Sequence, residues 1–167
     1  MNNETNRQNL FSKTAVLPIL GVGLLVGTLD ILAALADYYI STGKNPIVIF
    51  KFIASGILGT DALTGGSGTI LLGVLAHYFI ALTFTVLFFV FFLKTNILPK
   101  NKFVTGIIYG TFVWAVMNFI VLPMSRTPKM PFDLFNAIKA LLILIFMIGL
   151  PLSFLASRFF GKKQTDE

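Results

Sequence analysis

Residues 69–92 read TILLGVLAHYFIALTFTVLFFVFF, 24 residues without one Asp, Glu, Lys or Arg. A helix of about 20 apolar residues crosses the roughly 30 Å hydrocarbon core of a bilayer. Lipid offers the backbone no hydrogen-bond partner, so a single stretch of this kind satisfies its N–H and C=O groups by being helical. Residues 15–40, 103–123 and 136–160 meet the same requirement. Four spans are therefore expected, and they leave little chain for anything else.

Composition agrees with that reading. The chain is 56% hydrophobic and only 12% charged, with a mean hydropathy of +0.85. A soluble domain is about 25% charged. The shortage excludes an ordinary water-soluble enzyme, and the hydrophobicity excludes intrinsic disorder. A length of 167 residues allows one domain. The fold class expected is all-α, a polytopic membrane helix bundle over residues 15–160 with polar tails at 1–14 and 161–167. Lys13 before an apolar run, with Ala34-Leu35-Ala36 beyond it, also has the form of a cleavable signal peptide. The run extends to Ile40 and contains Asp30, which exceeds a signal-peptide core and favours a retained span.

Between the first two spans lies NPIVIFKFIASGILG, residues 45–59. Asn45 followed by Pro46 is a helix start, an N-cap and then a proline at the first helical position. The segment is too short to span. Lys51 and Ser55 are four apart and share a narrow polar edge that is expected to face water or headgroups. That pattern suits a half-helix lying in the interface or entering as a re-entrant hairpin; a fifth span over 46–64 is the runner-up. Gly65, Gly66 and Gly68 then turn the chain back, and Gly149 with Pro151 predicts a kink in the fourth span.

With 13 Lys and Arg against 7 Asp and Glu, the net charge is +6. The cations sit at segment ends, so they report topology rather than nucleic acid. Arg7, Lys13, Lys94, Lys100, Lys102, Arg158, Lys162 and Lys163 lie on one side, against Lys44, Lys51, Arg126, Lys129 and Lys139 on the other. The positive-inside rule places both termini in the cytoplasm.

Small and polar residues recur at helical spacing: Gly23, Gly27, Asp30, Ala34 and Asp37 in the first span, and Thr69, Gly73, His77, Ala81 and Thr85 in the second. The third span offers Gly106 and Gly110, with Thr111, Ala115 and Asn118 on another side; the fourth offers Gly149, Ser153 and Ser157. Such stripes let helices approach closely where lipid supplies no hydrophobic drive. Asp30, His77 and Asn118 go further, because ionisable and amide groups within the hydrocarbon are expensive and face partners or water. At 1.5 Å per residue they lie roughly 15, 12 and 8 Å below the outer surface, with Lys51 and Asp37 near that boundary. The five form a candidate polar layer in the outer half. It reads either as a structural network, with His77 bonded to Asp30 or Asn118, or as a proton relay or pH-responsive lock, since imidazole changes charge near neutral pH.

Other chemistry is sparse. One histidine and no cysteine leave no protein-built metal site, and no cofactor is expected. Gly65-Gly66-Ser67-Gly68 lacks the lysine of a phosphate loop and reads as a turn. Ser125 has no base nearby in sequence. Trp114, Tyr78 and Tyr109 read as packing residues.

The strings IASGILG, GG, LLGVLAHYFIAL, GIIYG and MNFIVLPMS resemble a group of small, uncharacterised bacterial integral membrane proteins. The resemblance covers residues 18–156 and rests on Ala54-Ser55-Gly56, His77 and Met117-Asn118 ahead of Leu122-Pro123. It implies a bacterial cytoplasmic (inner) membrane and the same polar layer, without an activity or substrate. The expected function is a non-enzymatic one, as a small permease or channel or a membrane partner subunit. The alternative is a membrane-embedded enzyme acting on lipid, with His77 as acid–base and Asp30 orienting it. Expected partners are the lipid bilayer and either further copies of the chain or a membrane partner protein, not nucleic acid.

Overall fold

The structure is a computed structural model that describes residues 13–94, 101–129, 131 and 133–160. The expected tails 1–14 and 161–167 lie almost wholly outside the described residues. The described residues form an all-α fold in which four helices are long and apolar enough to cross a membrane: Val16–Thr42, Ser67–Phe91, Lys102–Met124 and Leu134–Arg158. A fifth, shorter helix runs over Val48–Leu58. Its 11 residues extend roughly 16 Å, about half of a bilayer core, so it is not a fifth span.

Local chemistry sets the ends. Gly43 and Gly59 have φ of +66° and +75°, the left-handed conformation that closes a helix and that side chains resist. Asn101 and Asp133 cap the third and fourth spans, their side chains accepting from Phe103 N and Asn136 N, each at 2.9 Å. Asn45, the expected N-cap of the short helix, instead caps the turn ahead of it, accepting from Ile47 N at 3.0 Å. The α-helix proper begins only at Val48, because residues 46–47 form a tighter turn, with Ile49 N donating to the Pro46 carbonyl. The first helix is already formed at Lys13, which moves Pro18 from the expected first turn into the second.

The spans pack antiparallel in a ring. The second lies on the first, the first on the fourth and the fourth on the third. Phe88 and Tyr109 close the ring edge to face, their centroids 4.7 Å apart. Lys13 and Phe160 lie toward one end of the bundle, the basal half, and the short helix lies toward the other, the apical half. The central core is basal: Val22, Val26, Phe84, Phe88, Phe89, Tyr109, Val113, Ile148 and Leu152 are all buried there. The short helix packs on the apical part of the second span.

Glycines make these contacts possible. A Cβ on Gly73 would overlap the Phe50 carbonyl of the short helix, and one on Gly149 would overlap the Gly106 carbonyl. Backbone meets backbone at both places, the close approach that membrane helices use in place of a hydrophobic drive. Gly23 faces Leu82 and Thr85, and Gly27 faces Ala81 and Tyr78. The stripes of the first two spans thus meet each other. Thr111, by contrast, is exposed and bonds back to Ile107 O, while Ala115 and Asn118 on the same edge are half-buried.

The kink expected near Gly149 takes the form of a π turn over Ile145–Gly149, and a second spans Met117–Val121. Each ends two residues before a proline, Pro151 or Pro123. A proline ring collides with the carbonyl four residues earlier. Those carbonyls belong to Met147 and Phe119, the middle residues of the two π turns. Widening the helix there relieves the collision without breaking the span.

Candidate functional site

The candidate layer resolves into separate contacts. His77 sits in the seam between the first two spans, where the glycine stripe brings the chains close. Its Nε2 lies 2.8 Å from the Gly27 carbonyl and must donate to it, since a carbonyl only accepts. That bond fixes the ring and leaves Nδ1 as the second nitrogen. Asp30, one turn further along the first span, is close enough to interact electrostatically with the ring but makes no direct hydrogen bond to it. Thr28 adds a neighbouring bridge: its hydroxyl donates to Leu24 O at 2.8 Å, so the Tyr78 hydroxyl donates to Thr28 Oγ1 at 2.9 Å. His77 and Tyr78 stand edge to face at 5.4 Å.

The other three expected members stand apart from this pair. Asp37 pairs with Lys139 of the fourth span at 2.9 Å, and Lys139 also donates to Ser41 at 3.2 Å. Asn118 turns back on its own helix, its amide donating to Trp114 O at 2.8 Å, so it does not bridge to His77. Lys51 is half-buried and has no ion-pair partner among the described residues. Ser55, four residues on along the expected edge, turns inward rather than to water, at 0% exposed. Its hydroxyl can be buried because it donates to Phe52 O at 2.6 Å.

Several polar contacts have no counterpart in the sequence reading. Lys139 is inside the fourth span by more than one turn, and Asp37 is inside the first span by a similar distance from the same end. Matching those depths would have paired them. The Tyr109 hydroxyl donates to Phe84 O and the Ser153 hydroxyl to Lys102 O, each tying two spans through a backbone carbonyl. A sequence carries no signal for such bonds, because every residue has a carbonyl. Trp114 Nε1 is buried without a partner among the described residues.

At the apical end, Tyr38, Val48, Ile49, Phe52, Leu63 and Pro128 line an apolar cavity of about 380 Å³. The short helix is held beside it by Arg126 N, which donates to the Gly56 carbonyl at 3.0 Å. Comparison with family models, with curated proteins and with solved structures finds no match.

Proposed function

We propose that this chain is a non-enzymatic protein of the bacterial cytoplasmic membrane, with both termini cytoplasmic, that works as one subunit of a small permease or channel or of a larger membrane complex. Asp30 and His77 are its polar site. Asn118, Lys51 and Asp37 belong to the same outer-half layer in this reading, at positions apart from that pair.

The observation that carries the reading is the His77–Gly27 bond with Asp30 beside it, inside the seam of two membrane-spanning helices. Ionisable groups at that depth are retained where they meet protons, ions or partner helices. The basal half is filled by Phe88, Phe89, Leu152, Val26 and Val113, all under 2% exposed. Among the described residues the basal half of one copy is therefore filled by side chains, which favours a role in an assembly. An enzymatic role for His77 draws less support, because Nε2 is committed to a carbonyl and Asp30 does not hydrogen-bond the ring.

Purified protein in vesicles under an imposed proton gradient tests the reading. Proton flux that disappears in His77→Gln, with that variant still well folded, supports the permease form. Absence of flux in the wild type leaves the partner-subunit form. Flux that His77→Gln leaves unchanged removes the pair from the function.

A further inference from the structure

We propose that the apical cavity binds one acyl chain of an anionic phospholipid, whose headgroup is held by the cations around its mouth. The proposal is independent of the Asp30–His77 reading. It begins with where the cavity lies. Tyr38 is one turn from the end of the first span, Val48 begins the short helix, and Leu63 and Pro128 belong to the connections beyond the spans. A four-span chain puts that level at the membrane–water interface. Most interfacial surface is polar, yet these six residues offer only the Tyr38 hydroxyl as a polar side-chain group.

Water in such a cavity would lack the two to four polar partners that hold it. A volume of about 380 Å³ falls in the range of small-molecule sites, and the apolar lining selects a hydrocarbon. An acyl chain from the adjoining leaflet is the hydrocarbon present at that level.

The charges select the headgroup. Lys51 lies one turn from Val48 on the short helix and is half-buried with no ion-pair partner among the described residues. Arg126, anchored by its backbone to Gly56, is two residues before Pro128, and Lys129 follows that proline. Lys44 stands in the connection leading to the short helix. The acids on the same connections are Asp61 and Asp133, both exposed; Asp37 is already paired with Lys139. Four cations without an ion pair among the described residues, against two acids, give the short helix and the apical connections a positive excess. Basic pockets beside membrane helices bind anionic lipid headgroups through such an excess. The short helix supplies both parts, with Val48, Ile49 and Phe52 on the cavity and Lys51 in the same turn of sequence.

The full chain is reconstituted in phosphatidylcholine vesicles that contain a trace of phosphatidylglycerol with a photoactivatable acyl chain. A parallel sample carries the same label on phosphatidylcholine, and the adducts are mapped by mass spectrometry. Phosphatidylglycerol is expected to label the 48–52 and 63 positions about fivefold more than phosphatidylcholine, while exposed Phe79 in the second span takes both equally. Lys51→Gln with Arg126→Gln is expected to abolish that preference and leave the acyl contact. Val48→Phe, or Leu63→Phe where the first fails to fold, fills the cavity and is expected to remove the adduct at unchanged thermal stability. Equal labelling by the two lipids overturns the proposal. So do adducts spread evenly over the lipid-facing surface, and an unlabelled cavity in a chain that runs as a dimer, the result expected if a second copy covers it.

Discussion

The basal and apical halves of the bundle are held together by different physics. In the basal half, Phe88, Phe89, Val26, Val113 and Leu152 fill the space between four spans, and polar groups such as Tyr109, Ser153 and Thr85 spend their hydrogens on backbone carbonyls. In the apical half the first, second and fourth spans carry His77, Asp30, Asp37 and Lys139, and a fifth helix leans on the second span through Gly73. Apolar packing there gives way to specific bonds: an imidazole to a carbonyl, a hydroxyl to a hydroxyl, an ammonium to a carboxylate. A dry half resists rearrangement because each side chain is locked by its neighbours. A half tied by a few polar bonds can change state when one of those bonds changes. The contrast sets side-chain packing at one end of the molecule against a few discrete polar bonds at the other.

Three sets of substitutions probe that contrast, in descending order of effect. Phe88→Ala empties the centre of the basal half, and a loss of about 3–5 kcal/mol is expected, read as thermal unfolding in detergent. Leu75→Ala, on the lipid-facing side of the same span, is the control and should cost far less. Similar losses from both would mean that the basal half is not the core.

Asp30→Asn and His77→Gln come next. Each is expected to lower stability by about 1–3 kcal/mol, with the double variant losing less than the sum, because removing one member of a buried pair strands the other. Strictly additive losses would show that the two residues do not communicate, and the apical half would lose its central polar unit. Lys139→Ala is expected to cost least, under about 1 kcal/mol, since it and Asp37 remain 27% and 32% exposed. A larger loss, removed by high salt, would shift the weight of the apical half from the His77 seam to the first and fourth spans.

The architecture is legible in the sequence wherever one local rule decides it. Length and apolarity give the four spans, Asn45 marks the start of the short segment, and the glycine stripes mark the seams. Gly73, His77, Ala81 and Thr85 read as one line, and in the structure that line meets the short helix and then the first span. What is not legible depends on which element turns toward which. Lys51 and Ser55 share an edge by their spacing, but spacing cannot say that Ser55 is buried while Lys51 stays half-exposed. Depth alone directs His77 toward Asp30 or Asn118, yet it takes the nearest main-chain oxygen. Asn118 likewise finds its acceptor on its own helix. Side-chain partners can be guessed from matched depth; main-chain partners cannot.

The two π turns give the third and fourth spans a property that the first two lack. A π turn takes up about one residue more than an α turn, and one residue corresponds to roughly 100° of helical phase. Beyond each turn the helix therefore presents a different face from the one its earlier sequence would dictate. In the fourth span, Lys139 and Ser153 lie on opposite sides of the Ile145–Gly149 turn; the first reaches Asp37 of the first span, the second Lys102 of the third. The turn acts as a phase adjuster, letting one continuous helix serve two neighbours whose faces are out of step. Deleting a single residue within it would rotate the apical segment while the basal packing stayed in place, and the Asp37–Lys139 contact would be the first to come out of alignment.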